Sequence, residues 1–525
     1  MAKNTLKNAS VWGIILLGVF FRLQEYFANH PLWLDEAATA YKLISLSMGE
    51  MIQRGGSDFG KMHAYPAGFL WAQKALVSFL GPHEMVLRLL PLASALASLW
   101  LFARVTQKFF IYPWDVLALA LFSFAPMPIQ YANQLKPFSL DCMVALGFLL
   151  LFLNIEKVFF SWRRLLALTL VGVAGIYFSF IGIVVLMSWG GLSFIFYLRS
   201  GEGRKARWLA LMLSFWALAF ISYFKLSLRY FLQDEGLLRY WHGSFAPLQN
   251  GLMENAGWIA AQTEGFFREG LGLPAGLGVF FIIVGLATAV SKKERMTLFL
   301  AAPVVLMFFL SAMRLYPFES RMLLFLMPLT LCLLVQGAFQ FWQFQSPAVR
   351  PLLAAVTAVL LLFYPLRSAL GYISHQQSKE DIRSVMAVLK GQKQPQDSLY
   401  INDSAQYGYV YYHCYFGWKE PEARLIKFSD EVFHDARGPY IYLWPMSVSF
   451  DERGCYATSA STEDFTKHYL SGRGVFGENK RTWLVYSHPR LRLPEFIPAY
   501  LDREGKAGPS TKARNAAALV YDLGP

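Results

Sequence analysis

Residues 66–81 read PAGFLWAQKALVSFLG, a short apolar run with Gln73 and Lys74 in its middle. Whether this run crosses a bilayer sets the side on which everything after it lies. Further apolar runs occur near 11–28, 86–107, 115–132, 138–156, 165–180, 182–198, 207–224, 271–290, 297–313, 321–340 and 350–367. Their lengths lie at or close to the roughly 17–25 residues of a transmembrane helix. If 66–81 lies on the surface, then Lys108, Arg163–Arg164, RSGEGRKAR (199–207), SKKER (291–295) and Arg350 share a side with Lys3 and Lys7. If it spans, every one of those later clusters moves to the opposite side. Basic residues collect in cytoplasmic loops, so the first arrangement is preferred and 66–81 is predicted to be an interfacial helix.

Composition agrees with that membrane reading. Of 525 residues, 55% are hydrophobic and only 16% charged, against about 25% for a soluble domain. The net charge of +13 sits in short clusters between apolar runs, with no basic stripe or stacking motif, and excludes nucleic acid as a partner. Cys142, Cys332, Cys414 and Cys455 form no CxxC or Cys/His metal spacing. The first two lie in apolar runs as small buried side chains. Cys414 and Cys455 fall in the polar C-terminal part, where an oxidising compartment would let them pair. No small-residue cleavage site follows the first run, which reads as an anchor.

The resulting fold class is a polytopic α-helical membrane protein of about eleven spans with a small C-terminal α/β extracytoplasmic domain. A membrane domain is expected over residues 1–369, with external loops 29–85 and 225–270, and the α/β domain over 370–525. In the latter, SKEDIRSVMAVLK has helical periodicity with a serine and acidic start. DSLYIN, YIYLW, TWLVYSH and AALVYDL read as strands, and their alternation with helical stretches predicts a mostly parallel sheet. There is no Gly-rich phosphate loop, GxSxG or HExxH.

Charges then gather on the predicted outer side. HPLWLDEAATAYK (30–42) carries adjacent carboxylates, Asp35 and Glu36, and the same loop supplies Lys61, His63 and Tyr65. Arg88 opens the next span, the turn at 133–137 carries Gln134 and Lys136, and Asp141 lies about one helical turn further in. The late turn RLYPFESR brings Arg314, Tyr316, Glu319 and Arg321. Charges at a membrane edge are costly and mark function. A lipid-linked sugar phosphate presents its head group at this depth. Transfer of its sugar needs one base for the acceptor proton and cations for the departing phosphate. A glycosidase would need two cooperating carboxylates, whereas adjacent helical residues such as Asp35 and Glu36 point about 100° apart.

Five stretches in order, LWLDEA (32–37), AYPAGFL (64–70), HEMVLRLLPLASALA (83–97), YANQLKPFSLD (131–141) and YPFESRMLLFLMP (316–328), resemble the GT-C membrane glycosyltransferases of the protein O-mannosyltransferase superfamily. Bacterial lipid A aminoarabinose transferases are among those relatives, and DIRSVMAVLK with DSLYINDSAQYGYVYY resembles the external domain of some bacterial members. The resemblance implies a GT-C fold and inverting transfer from a polyprenyl-phosphate sugar to a hydroxyl acceptor at the bacterial inner membrane, with the C-terminal domain periplasmic. It makes Asp35 the base, with Glu36 beside it, and assigns donor phosphate to Lys136 and Arg321, joined by Arg88. Many relatives carry an acid where this chain has Gln134, and Asp141 is the candidate second acid. Tyr65, Tyr316 and Trp241, the last in RYWHGSFAP (239–247), are candidate substrate contacts. No DxD motif appears in the first external loop, and neither a metal nor another cofactor is expected.

Each assignment has a plainer competitor. Asp35 suits a helix N-cap, Glu36 a helix dipole, Arg88 and Arg321 interfacial snorkelling, and Trp241 an aromatic belt. The whole chain has rivals too: a transporter or lipid-linked-sugar flippase, or a non-catalytic scaffold. A transporter places ionisable groups near the midplane in duplicated halves, and this sequence shows neither.

Overall fold

The computed structural model describes residues 2–54, 65–155, 161–232, 235–292, 295–374, 378–394, 397–401, 405–415, 441–443, 448–451, 454–457, 481–487, 502, 505–508 and 510–522. Lys61 and His63 lie outside that set. The chain falls into two compact units: one made of Met1–Ala28, Ser47–Phe79 and Met85–Gln376, the other of Asn29–Leu46, Leu80–Glu84 and Gln377–Pro525.

The first unit is a helical membrane platform. Every long apolar run of the sequence is helical, but the runs are not equivalent. Among the described residues, six helices are long and apolar enough to cross a membrane unbroken: Thr5–Phe27, Glu84–Phe109, Gly182–Arg199, Gly203–Tyr223, Leu324–Gln343 and Arg350–Ser374. Two further pairs are bent, giving up to 8 spans, and Ala67–Leu80, Phe138–Leu153 and Met296–Ala312 are shorter apolar helices. Against the expected count of about eleven, six helices among the described residues, or up to 8 with the bent pairs, are long and apolar enough to cross, and the expected span at 165–180, helix Trp162–Phe178, is not one of them.

Local chemistry accounts for the breaks. Helix Trp114–Phe124 meets Pro126–Asn133 at 55° because Pro126 and Pro128 cannot continue an α-helical ladder. Leu252–Leu271 meets Ala275–Ala289 at 101°. There Gly272 takes a left-handed φ of 69°, the next amide (Leu273) donates back to the Phe267 carbonyl at 2.8 Å, and Pro274 follows.

Close packing relies on small residues. In the pair Ala275–Lys292 and Met327–Gln343, a Cβ on Gly337 would sit 2.6 Å from the Phe281 carbonyl carbon, so only glycine permits the approach. Trp189 and Trp216 are fully buried, and each indole satisfies its N–H on a backbone carbonyl, of Phe299 at 2.7 Å and of Thr169 at 3.2 Å.

Ion pairing settles the parity of the early chain. Lys7 Nζ lies 3.0 Å from Asp115, while Lys108 donates to Asn154 at 2.8 Å. The start of the first helix and the end of Glu84–Phe109 therefore share one end of the platform. At the other end, Asn133 donates to the Glu25 carbonyl at 2.7 Å. Between residues 27 and 84 the chain returns to the side it left, as a non-spanning 66–81 requires. That segment is the 14-residue helix Ala67–Leu80, only about 21 Å long. Gln73 is buried and donates to the Leu87 carbonyl at 2.8 Å.

The second unit is built around a sheet of β1 (Ser398–Ile401), β2 (Ile441–Leu443), β5 (Arg481–Ser487), β6 (Lys506–Ala507), β7 (Thr511–Ala513) and β8 (Ala516–Asp522), with a separate hairpin of β3 (Val448–Asp451) and β4 (Gly454–Ala457). The order is β2-β1-β5-β8-β6, with β7 also pairing β8. All four expected strands exist, but the expectation of a mostly parallel sheet is corrected. Only β1 pairs in parallel, with β2 and β5, while β8 runs antiparallel to β5, β6 and β7. For β7 and β8 the physical reason is local: Asn515, at a left-handed φ of 53°, turns the chain straight into β8, leaving no room for a crossover helix between those two strands. Helix Ile382–Gln392 starts where its acidic signal places it, since Asp381 caps it by accepting from the Ser384 amide at 3.1 Å and hydroxyl at 2.8 Å. Cys142 and Cys332 are free and buried, whereas the Cys414 and Cys455 side chains lie outside the described set.

Candidate functional site

Asp35 and Glu36 belong to the second unit, on helix Leu34–Ser45. The N-cap is Trp33, with no side-chain cap bond, so Asp35 stands inside the first turn rather than capping it. The competing reading of Asp35 as a cap is thereby removed. Asp35 is half-buried and Glu36 buried, so the more accessible of the two carboxylates is Asp35.

The segment before Asp35 is held from the distant C-terminal chain. The Leu32 amide donates to the Tyr412 hydroxyl at 2.8 Å, and the Leu34 amide to Glu380 at 3.1 Å. Tyr412 donates to Glu84, whose other oxygen accepts from Arg383 at 2.6 Å and from Asn29 at 3.3 Å. Burial, and then the Glu84 carboxylate beside it, push the Tyr412 phenol well above its ordinary range. It therefore stays a protonated donor at neutral pH. Lys379 covers the Trp33 ring at 4.2 Å from its centroid. Glu84, Glu380, Arg383 and Tyr412 are not among the sequence-predicted site residues, although Glu84 lies in HEMVLRLLPLASALA, Glu380 and Arg383 in SKEDIRSVMAVLK and Tyr412 in DSLYINDSAQYGYVYY.

The cations and aromatics belong to the first unit. Lys136 is buried just before helix Phe138–Leu153, its ammonium 5.3 Å from the centroid of the buried Tyr65 ring. A lysine ammonium against an aromatic face is a compact anion partner. Gln134 is buried two residues earlier, and its carbonyl accepts from the Lys136 amide at 2.7 Å. Arg88 is buried in helix Glu84–Phe109. Asp141 is buried in the first turn of Phe138–Leu153, where Ser179 donates to it at 2.6 Å.

Arg321 and Trp241, 80 residues apart in sequence, are brought together. The guanidinium lies 4.8 Å over the indole centroid and donates to the Tyr240 hydroxyl at 3.3 Å. Backbone stitching explains the meeting. The Phe318 amide donates to the Ser244 carbonyl at 2.7 Å, Ser244 donates to Glu319 at 2.9 Å, and the Ala246 amide donates to Ser311 at 3.1 Å. The middle loop and the late turn thus form one assembly. Tyr316 is half-buried in that turn and donates to the Met322 carbonyl at 3.3 Å. Among the described residues, no three His, Cys, Asp or Glu side chains gather as a metal site would require.

No family model matches the sequence, and neither does any curated protein at a significant level. Solved structures do match its fold. ArnT from Cupriavidus metallidurans in the apo state overlays with a TM-score of 0.51 at 13% identity, covering 98% of this chain and 99% of that one. The same protein bound to undecaprenyl phosphate gives 0.52 at 12% identity, covering 97% and 98%. An Archaeoglobus fulgidus oligosaccharyltransferase overlays at 0.48, with 10% identity over 76% of this chain and 63% of its own. The class is thus that of helical integral membrane proteins with an ArnT-like fold, matched along essentially its whole length. The expected architecture, a many-helix membrane unit with a small C-terminal α/β unit, is the fold observed.

Proposed function

We propose that the protein is an inverting glycosyltransferase that moves a sugar from a polyprenyl-phosphate donor to a hydroxyl acceptor outside the cytoplasmic membrane. The observation that carries this reading is the near full-length fold likeness to ArnT bound to undecaprenyl phosphate. In it, Asp35 accepts the acceptor's proton as that oxygen bonds to the anomeric carbon. The bond from carbon to phosphate oxygen breaks, configuration inverts, and polyprenyl phosphate departs as an anion. Lys136, Arg321 and Arg88 hold the phosphate and stabilise the charge it gains. Trp241, Tyr65 and Tyr316 are substrate contacts, Glu36 acts beside Asp35, and Asp141 is the second acid. The membrane domain of residues 1–369 and the periplasmic domain of 370–525 divide this work at the bacterial inner membrane. The acceptor is a hydroxyl of a glycolipid, polysaccharide or protein.

A binding measurement tests the donor class. The purified protein in lipid nanodiscs is titrated with a photoreactive polyprenyl phosphate, with unlabelled polyprenyl phosphate and the uncharged polyprenol as competitors. Saturable labelling displaced by the phosphate but not by the alcohol is expected, weakened in Lys136→Ala and Arg321→Ala. Labelling displaced equally by both lipids, or unaffected by either substitution, would overturn the phosphate assignment.

A further inference from the structure

The helix bearing Asp35 has an N-terminus without a cap of its own: Trp33 occupies the N-cap position and offers no side-chain acceptor. Its first amide and one just before the cap are nonetheless satisfied. Glu380 accepts from the Leu34 amide at 3.1 Å, and Tyr412 accepts from the Leu32 amide at 2.8 Å. These acceptors come from 346 and 380 residues further along the chain. Both flank Trp33, the second residue before Asp35.

Neither acceptor is free to drift. Tyr412, on helix Gln406–Tyr415, is fully buried, and its hydroxyl proton goes to Glu84, whose side chain is wholly inaccessible. Arg383, from helix Ile382–Gln392, neutralises Glu84 at 2.6 Å. Glu380 is itself buried, and the adjoining Lys379 and Asp381 are tied to the sheet's last turn. The Asn515 side-chain Nδ2 donates to the Lys379 carbonyl at 2.8 Å, and the Asp381 backbone amide to the Arg514 carbonyl at 2.8 Å. Helices Ile382–Gln392 and Gln406–Tyr415 pack on each other closely enough that a Cβ on Gly408 would strike Ile382. Tyr411 also holds the Pro82 carbonyl at 2.8 Å, two residues before Glu84.

We propose that Glu380 and Tyr412 are positioning residues for Asp35, so that the C-terminal domain completes the catalytic helix rather than merely following it. The inference rests on the reading of Asp35 as the base. A base must be placed within fractions of an ångström of its proton, and a misplacement of about 1 Å costs up to about a hundredfold in rate. Fixing two amides just before Asp35 sets the axial position and rotation of its helix turn. A carboxylate at that helix N-terminus also opposes the helix dipole, which a capping serine would do less strongly.

The test compares Tyr412→Phe, Glu380→Ala and Glu380→Gln with wild type and Asp35→Asn, all full-length in nanodiscs. Sugar transfer is expressed per mole of protein that binds polyprenyl phosphate. Tyr412→Phe and Glu380→Ala are expected to lower kcat by about tenfold to a hundredfold, with donor KM and lipid-phosphate binding unchanged. Glu380→Gln keeps an acceptor for the Leu34 amide and should return kcat to within about threefold of wild type, the cost of a hydrogen bond weakened by under ~1 kcal/mol. Wild-type kcat in Tyr412→Phe and Glu380→Ala, with Asp35→Asn inactive, would overturn the proposal. So would a glutamine no better than alanine, or binding lost in parallel with kcat, because a generally damaged fold behaves that way. Full activity of Asp35→Asn would instead sink the base assignment, and the positioning role with it.

Discussion

The Gly337 contact offers the sharpest test of the helix platform. Alanine there would carry a Cβ 2.6 Å from the Phe281 carbonyl carbon and 3.0 Å from the Gly285 nitrogen. The Phe281 carbonyl oxygen is closer still, and since non-bonded heavy atoms prefer ~3.5–4.0 Å, the two helices must part by well over ~1 Å. Every atom crowded is backbone, and no side chain can rotate aside. Overpacking of this kind costs about 1–3 kcal/mol, and the helix propensity gained by replacing glycine returns at most about 1 kcal/mol. Gly337→Ala is therefore expected to destabilise by about 1–2 kcal/mol, a melting shift of roughly 1–2 °C for a chain of this size. Gly276 lies on the facing helix with no heavy atom within 4 Å of its would-be Cβ, so Gly276→Ala supplies the control. Tryptophan-fluorescence melts in detergent or nanodiscs compare the two variants. A Gly337→Ala midpoint equal to or above that of Gly276→Ala would refute the backbone-limited packing.

Further expectations follow from single contacts. Asp381→Ala removes the cap of helix Ile382–Gln392 and should cost about 1 kcal/mol, seen as faster proteolysis of the C-terminal unit, while Asp381→Asn should lose less. Ser179→Ala leaves Asp141 buried without that donor and should destabilise by about 1–3 kcal/mol in thermal melts; an unchanged midpoint would show that Asp141 does not depend on Ser179. Arg321→Lys keeps the charge but loses the planar stack on Trp241 and the fork geometry. It should weaken polyprenyl-phosphate binding roughly tenfold in the nanodisc titration, the ~1.4 kcal/mol of one charge-assisted hydrogen bond.

The helices were legible because apolar runs and basic loops obey one strong constraint: the bilayer cannot solvate backbone or charge. The short 66–81 helix was readable for the same reason, and the Lys7–Asp115 pair agrees with its effect on parity. Bends were less visible. Pro126 announces its break, but Gly272 becomes a sharp turn only because its φ is positive, which no periodicity encodes. Strand positions in the C-terminal unit could be read from β-branched and aromatic runs, while sheet direction could not, since it depends on the length of each return. Of the site, charged residues on one predicted side were found by type and place. The meeting of Arg321 with Trp241 required tertiary stitching through Ser244 and Ser311. Tyr412 and Glu380 were illegible because their importance lies in which distant amides they satisfy.

The central claim is that Asp35 takes a proton during sugar transfer from a polyprenyl-phosphate donor. The most direct measurement is transfer of radiolabelled sugar from polyprenyl-phosphate donors to membrane acceptors by wild type and Asp35→Asn, with lipid-phosphate binding measured on the same preparations. The account predicts transfer by wild type, a loss of at least about a hundredfold in the mutant, and equal lipid binding by both. Equal transfer by both proteins would contradict the role of Asp35. Absence of transfer by wild type across the donor pool would contradict the enzyme itself.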